Sequence, residues 1–305
     1  MDVDRSNITV MGRSVRVLTS GDETAEPVLL IHGVGGWAEN WREVMDPIAA
    51  SGRRAIAVDL PGFGESEPPG HVAHFGPTDA YYPSWVLALM SELQIDKAHI
   101  VGNSMGGAVA YMAAVTAPER FPSLTLVASG GLGRDIAFFL RIVTVPGLTT
   151  LARLIGDRGQ GREVLRTCFF DATRIPETLS AEADRYGFAS FPEFVRALRS
   201  GVTLRGVRGD LLDHWVELAP RYDGPVLVIW GREDAVLPIH HLAGAKDVFP
   251  QAELRVIERC GHLPMIERTS EYLAIQLPFF ARSEQAEQAF APRGGRAEAQ
   301  LTSNG

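Results

Sequence analysis

The fold is decided by the stretch IVGNSMGGAVA at residues 100–110. Its apolar start predicts a buried strand ending at Gly102, and the alanine-rich run after Ser104 predicts a helix. Gly102, Ser104 and Gly106 form the pattern G-x-S-x-G, which puts a serine on a sharp strand-to-helix turn. Glycines are needed because larger side chains two positions from the serine would clash with the strand and helix. We therefore predict that Ser104 is a nucleophile beside the positively polarised start of the helix.

Composition narrows the class of protein. The chain has 305 residues, of which 46% are hydrophobic and 22% charged, as in a globular protein with a large core. A net charge of −8 without a long basic run argues against a nucleic-acid partner. The two cysteines, Cys168 and Cys260, are too few for a disulfide framework or a cysteine-rich metal site. We predict a cytoplasmic protein without a membrane span, since no leader-like or membrane-length apolar run is present.

Short apolar runs alternate with helical patterns along most of the chain. The runs predict buried strands at 27–31, 55–58, 98–101, 124–128, 225–230 and 254–257. Helical patterns lie at 82–93, 105–116, 239–248 and 271–281. Residues 8–17 alternate around Gly12, as in an edge hairpin. This alternation predicts an α/β fold with a mostly parallel eight-stranded sheet and helices on both faces.

The pattern changes in the middle of the chain and at its end. From about residue 130 to 218, predicted strands give way to helical segments at 136–143, 149–155, 162–169 and 193–202. We interpret residues 131–218 as a helical cap inserted into a core formed by residues 1–130 and 219–282. Residues 283–305 show no apolar periodicity, which predicts a disordered tail.

A serine nucleophile needs a base and an acid that orients the base. Of eight histidines, His262 lies in the loop after the last predicted strand, within CGHLP at 260–264, and is the predicted general base. The acid is expected after the strand ending at Trp230, where Asp234 lies deeper in the loop than Glu233. The loop after the preceding strand, SGGL at 129–132, offers no carboxylate, so we choose Asp234.

Oxyanion donors are expected from two backbone N–H groups. Met105 follows the nucleophile, and Val34 follows the first core strand in the glycine loop HGVGG at 32–36. Glycines such as Gly33 let this loop approach the serine turn closely. We interpret His32 as a structural hydrogen-bonding residue.

The same glycine loop has a competing interpretation. GVGGWA at 33–38 fits G-x-G-x-x-A after a strand, and Asp59 ends the next strand, as in dinucleotide-binding folds. However, Trp37 is bulky where the helix would approach a pyrophosphate, and Ser104 and His262 would be unexplained. We therefore predict no cofactor and no metal.

Four separated motifs carry a family resemblance: HGVGG at 32–36, DLPGFGES at 59–66, GNSMGG at 102–107 and GHLP at 261–264. With them, about residues 8–282 resemble the α/β-hydrolase fold family. GGLG at 130–133 and FDATRIPE at 170–177 resemble the capped serine hydrolases that include meta-cleavage-product hydrolases, which split carbon–carbon bonds of vinylogous diketo acids. That subfamily usually has tryptophan where this chain has Leu263, and a proline in its first glycine loop. Ser104 replaces the aspartate nucleophile of the related epoxide hydrolases and haloalkane dehalogenases.

The resemblance also implies substrate contacts. An arginine near the place of Arg185 binds the substrate carboxylate in that subfamily. Further contacts predicted here are Gly33, Asn103, Phe138, Trp215 and Leu263. The cap also supplies Phe139, Leu140, Phe169 and Phe170 as candidate pocket wall.

The sequence thus predicts a cofactor-free serine hydrolase that acts on a small-molecule substrate, a carboxylic ester with an apolar portion. Three alternatives stay open. The same residues could cleave a carbon–carbon bond, the fold could serve a non-catalytic ligand-binding receptor, or it could carry perhydrolase or oxygenase chemistry. A homodimer is also compatible with the sequence.

Overall fold

The computed structural model describes residues 3–76, 80–147 and 160–290. Its strands are β1 (Asp4–Val10), β2 (Arg13–Ser20), β3 (Glu26–Ile31), β4 (Arg53–Val58), β5 (His99–Asn103), β6 (Leu124–Val127), β7 (Val202–Thr203), β8 (Gly206–Val207), β9 (Val226–Gly231) and β10 (Glu253–Ile257). Its helices are α1 (Arg42–Ala50), α2 (Tyr81–Glu92), α3 (Met105–Thr116), α4 (Phe138–Ile142), α5 (Gln160–Thr167), α6 (Glu177–Gly201), α7 (Gly209–Leu218), α8 (His241–Val248), α9 (Pro264–Glu267) and α10 (Thr269–Phe290).

The described residues contain one eight-stranded sheet, in the order β1-β2-β4-β3-β5-β6-β9-β10. Within the series β4-β3-β5-β6-β9-β10, every pair of neighbouring strands is parallel. At the edge beside β4, β1 and β2 form the predicted antiparallel hairpin. The predicted fold class is therefore confirmed. The strand that leads into Ser104, β5, lies between β3 and β6 near the middle of the sheet. The carboxyl ends of β3, β5, β6 and β9 consequently meet at one edge.

Two apolar layers cover the faces of this sheet. Alternate residues of β3 belong to different layers, with Leu29 and Ile31 on one face and Val28 and Leu30 on the other. This follows from the two-residue period of a strand and explains why the predicted strands are apolar throughout. Helices α2 and α3 bury their apolar residues on the first face, and α1 and α10 on the second.

The mainly helical segment between β6 and β9, which we call the cap, differs in part from the prediction. Helix α6 runs without a break from Glu177 to Gly201, through Pro192, where the sequence predicts a helix only from residue 193. The first half of α6 packs against α5, where Ala183 lies next to Gly161, and the second half packs against the core, where Glu193 lies next to Gly62. This packing supports one continuous helix although proline removes a backbone donor. The pair β7–β8 is a hairpin in a region predicted to lack strands. The helix predicted at 149–155 lies outside the described residues.

The last helix also extends further than expected. The sequence assigns residues 283–305 to a disordered tail, but 283–290 complete helix α10. Ser283 is buried and its hydroxyl donates to the carbonyl of Phe279 at 3.0 Å. Arg53 on β4 forms an ion pair with Glu284 at 2.7 Å, which anchors this end to the sheet. Residues 291–305 lie outside the described residues. Among the helices described, none combines the length and apolarity that crossing a bilayer requires.

A buried ion pair connects the edge of the sheet to the loops above it. Asp59, at the end of β4, accepts hydrogen bonds from Arg16 Nε at 2.7 Å and Nη2 at 3.0 Å. The same carboxylate accepts the N–H groups of Ala38 and Glu65, each at 2.7 Å. Both oxygens of Asp59 are thus occupied, and the side chain is fully buried. Such a carboxylate cannot bind a ribose, which argues against the dinucleotide interpretation.

We predict that Arg16→Met lowers the free energy of unfolding by about 3–5 kcal/mol, because Asp59 would keep a buried charge without its partner. Urea denaturation measures this difference. The control is Arg232→Ala, which breaks an exposed pair with Glu258 and costs about 1 kcal/mol or less. If both variants lost the same free energy of unfolding, Arg16 would not be the partner that compensates the buried charge of Asp59.

Candidate active site

Ser104 occupies a strained turn between β5 and α3. Its φ of 56° and ψ of −120° lie in a region that residues with a side chain rarely adopt. The turn is held by the end of β6 and the loop that follows it, since the N–H of Ser104 donates to the carbonyl of Val127 at 3.0 Å and its carbonyl accepts the N–H of Gly130 at 2.8 Å. These hydrogen bonds keep the serine backbone in a conformation that costs energy by itself.

The glycines around the serine are sterically required. A Cβ at Gly102 would overlap the carbonyl of Gly106, and a Cβ at Gly106 would overlap the carbonyls of Ile31 and His32. A Cβ at Gly33 would come within 2.9 Å of the Ser104 Cβ. The loop that follows β3 therefore lies directly against the serine turn. This is the close approach that the G-x-S-x-G pattern predicts.

His262 and Asp234 are hydrogen bonded next to this turn. His262 Nδ1 and Asp234 Oδ2 are 2.7 Å apart, and both side chains are buried. Asp234 Oδ1 accepts the N–H groups of Val236 at 2.8 Å and Leu237 at 2.9 Å, which fixes the carboxylate. A donor at Nδ1 leaves Nε2 of His262 as a proton acceptor. Ser104 and His262 line the same cavity.

The alternative carboxylate, Glu233, has a different role. Its side chain accepts the N–H of Cys260 at 2.9 Å and so supports the backbone before His262. The structure therefore separates the two candidates, with Asp234 on the imidazole and Glu233 on the main chain.

The loop of His262 is held by the core and by the cap. Asn103 Nδ2 donates to the carbonyl of His262 at 3.1 Å, and the N–H of His262 donates to Cys168 of the cap at 2.7 Å. Buried Glu267 accepts the N–H groups of Gly261 at 2.7 Å and Asp171 at 2.7 Å. The cap backbone thus takes part in positioning the imidazole, which sequence reasoning missed.

Of the two predicted oxyanion donors, Met105 directly follows Ser104 in the chain, and Val34 lines the same cavity as Ser104. Met105 is the first residue of α3, so its N–H has no acceptor within the helix. Val34 lines the cavity together with Gly33 and Ser104. His32 is structural, since its Nδ1 donates to the carbonyl of Gly33 at 2.7 Å and its Nε2 accepts the N–H of Leu60 at 2.8 Å. Burial lowers the pKa of His32 to about 4, so the ring is neutral near pH 7.

A cavity of about 310 Å³ lies between the serine turn and the cap. Its wall is mainly apolar and comes from the loop after β3, from α4, α5 and α6, and from the loop of His262. No Asp, Glu, Lys or Arg occurs among the described residues that line it. The apolar cap residues of this wall are Phe139, Val143, Val164, Leu165, Ala183, Phe191 and Phe194.

The predicted substrate contacts divide into two groups. Gly33, Asn103 and Leu263 line the cavity as expected, and so does Phe139. The structure corrects the prediction for Phe138, which is 64% exposed and lies under the guanidinium of a neighbouring arginine. Likewise, Trp215 is not among the lining residues.

Trp215 belongs to the core instead. Its ring is buried and contacts Tyr111 and Phe75 at centroid distances of 6.2 Å and 5.7 Å. Of the other predicted wall residues, Leu140, Phe169 and Phe170 do not line the cavity either. An apolar cap residue can thus pack on the core as well as face a substrate, and composition alone does not distinguish the two.

Arg185 is also outside the cavity. Its side chain is 67% exposed, lies 3.6 Å from Glu65 and packs over the ring of Tyr186 at 5.1 Å. Ala183, Gly187 and Phe191 of α6 face the cavity at a spacing of four residues. Residue 185, midway between the first two, projects from the opposite side of a helix with 3.6 residues per turn. This spacing is the signal that could have located the cavity-facing residues from the sequence.

The model of the alpha/beta hydrolase fold family matches residues 26–156 and 203–269. The chain belongs to this family. It is 34% identical over 274 residues to the dihydrolipoyllysine-residue acetyltransferase component of the acetoin cleaving system of Pseudomonas putida, covering 90% of this chain and 68% of that protein. This α/β hydrolase therefore spans about two thirds of that relative.

Two further relatives are hydrolases. The chain is 30% identical over 272 residues to 2-hydroxy-6-oxo-6-phenylhexa-2,4-dienoate hydrolase of Burkholderia cepacia, covering 84% of this chain and 88% of that protein. The solved structure of 2-hydroxy-6-oxo-6-phenylhexa-2,4-dienoate hydrolase from Rhodococcus sp. strain RHA1 matches with a TM-score of 0.72 and 27% identity, covering 92% of this chain and 99% of that one. The predicted resemblance to the family, including its meta-cleavage-product branch, is confirmed.

We predict that His32 makes this α/β hydrolase less stable in acid. The unfolded chain protonates this ring near its ordinary pKa of 6.5, whereas the folded protein does so only near 4. Between these values the unfolded state binds more protons, so the free energy of unfolding falls as the pH drops, by about 3 kcal/mol for this group. Urea denaturation of wild type and His32→Gln from pH 7 to pH 4 measures the effect. The variant should show a shallower decline, and identical slopes would contradict the prediction.

Proposed function

We propose that this α/β hydrolase is a cofactor-free serine hydrolase. The observation that carries the proposal is the hydrogen bond of 2.7 Å between Asp234 and His262, both buried beside the strained turn of Ser104. A neutral imidazole with its Nδ1 proton held by a carboxylate is suited to accept a proton at Nε2. A serine at a helix start is suited to attack a carbonyl.

The reaction has two halves in this proposal. His262 Nε2 removes the proton as Ser104 Oγ bonds to the ester carbonyl carbon, and the negative charge on oxygen is held by the N–H groups of Val34 and Met105. His262 then gives the proton to the departing alkoxide, which leaves as the alcohol. Water then attacks the acyl carbon with His262 as base. The imidazole returns this proton to Ser104 Oγ as its bond to the acyl carbon breaks, and the carboxylic acid is released. Asp234 keeps the imidazole in one tautomer throughout.

The proposed substrate is a carboxylic ester with an apolar portion. The apolar wall of the cavity supports this choice, because burying each CH2 group there gains about 0.8 kcal/mol. A volume of about 310 Å³ suits a small molecule. We further propose a cytoplasmic location, which the two free thiols of Cys168 and Cys260 support.

Hydrolysis of a carbon–carbon bond is the second candidate. It is favoured by the two relatives named 2-hydroxy-6-oxo-6-phenylhexa-2,4-dienoate hydrolase, which share about 30% of their residues with this chain. A dienoate carries a carboxylate, which a cationic partner stabilises in a buried site more strongly than neutral donors do. Arg185 faces away from the cavity, and no other arginine or lysine lines its described wall. We therefore prefer the ester.

We predict that a fluorophosphonate probe adds once to the wild-type chain and not to Ser104→Ala, as read from the intact mass. Asp234→Asn should react about 10³–10⁴-fold more slowly, because the imidazole loses its fixed tautomer. The matched control is Ser190→Ala, which removes another serine of the same cavity and should label like wild type. No adduct on folded wild type would favour a non-catalytic receptor.

We predict that kcat/KM rises along a series of p-nitrophenyl esters from acetate to hexanoate, by up to about fourfold per added CH2. Leu165→Trp, which fills part of the cavity, should remove this gain for the longer esters and leave the acetate nearly unchanged. Leu204→Trp adds the same ring at an exposed position and serves as control. A vinylogous diketo acid cleaved with a higher kcat/KM than every ester would overturn the preferred substrate.

A further inference from the structure

A second group of polar side chains lies outside the candidate active site. Asp135 precedes α4 in the first segment of the cap, whereas His240 and His241 lie at the start of α8 in the core. One possible ligand atom from each residue lies within 4.8 Å of the other two. His240 Nε2 and Asp135 Oδ2 are already 3.2 Å apart. Residues 105 positions apart in sequence are thus brought together at this surface.

His241 is the unusual member of this group. Its side chain is only 2% exposed, yet neither ring nitrogen has a hydrogen-bond partner among the described residues. Leaving such a group unsatisfied costs about 1–3 kcal/mol. The ring is held between Trp230 and His240, at centroid distances of 6.0 Å and 4.9 Å, and a Cβ at Gly133 would overlap it.

We propose that Asp135, His240 and His241 bind a divalent transition-metal ion such as Zn²⁺. Two imidazoles and a carboxylate are ligands that Zn²⁺ prefers, with water completing a tetrahedron. Bonds of about 2.0–2.2 Å place tetrahedral ligand atoms roughly 3.4 Å apart, close to the distance between His240 and Asp135. These two side chains are 63% and 65% exposed and can rotate toward the fixed ring of His241.

A bound ion would link the first segment of the cap, which carries Asp135, to the core. The N–H of Ala137, two residues after Asp135, donates to the carbonyl of Val236 at 2.8 Å. Trp230 Nε1, next to the ring of His241, donates to the carbonyl of Leu237 at 3.0 Å. The metal-binding segments thus flank the loop that carries Asp234. Binding stabilises this junction and is independent of the chemistry proposed for Ser104.

The test uses the full chain without a histidine tag, freed of metal by chelation and dialysis. Calorimetric titration with Zn²⁺ should give one equivalent in wild type, and Co²⁺ should produce the visible absorption of a four-coordinate ion. Asp135→Asn and His240→Ala should each weaken binding at least about tenfold, since one of three ligands is lost. Both positions are exposed, so circular dichroism should show folded variants.

Two control variants make the result specific. His71→Ala removes an exposed histidine of a distant loop and should bind Zn²⁺ like wild type. His262→Ala should also retain one equivalent, which excludes binding at the candidate active site. Zn²⁺ should raise the Tm of wild type but not that of His240→Ala. The proposal is overturned if wild type binds no Zn²⁺, if Asp135→Asn and His240→Ala bind as tightly as wild type, or if His262→Ala abolishes binding.

Discussion

The close contact between the serine turn and the loop after β3 is the constraint on which the site depends. Gly106 lets α3 begin directly against the carbonyls of Ile31 and His32, with no room for a side chain. Ser104 has a φ of 56° in this turn, and it lines the same cavity as Val34 of the loop after β3. The sheet supplies the necessary rigidity, because β5 is hydrogen bonded to parallel strands on both sides.

Burial and hydrogen bonding fix the orientation of Asp234 and His262 in the candidate site. Asp234 is fully buried, and its oxygens bind the imidazole of His262 and two backbone N–H groups. These hydrogen bonds satisfy both oxygens of the carboxylate and keep the ring in one orientation. The backbone of Cys168 also holds the loop of His262. The cap therefore contributes to the geometry of the site as well as to the cavity wall.

The cap and the core are joined by polar contacts at several points. Buried Glu267 binds backbone N–H groups on both sides of the junction, and Trp37 Nε1 donates to Glu182 of α6 at 2.6 Å. The cluster of Asp135, His240 and His241 lies at a further point of the same junction. The wall of the cavity itself is mainly apolar. Polar contacts thus position the cap on the core, whereas apolar side chains determine which ligands fit the cavity between them.

The sequence by itself determined the α/β class and the serine turn, because glycine spacing and strand ends are local features. For the same reason it singled out Asp234 and His262 as candidate partners of Ser104. The wall of the cavity was decided only by tertiary structure. Arg185 and Phe191 lie on one helix, and only its rotation against the core decides that the first is exposed and the second faces the cavity. The approach of Asp135 to His240 likewise depends on long-range packing, which no local pattern of residues encodes.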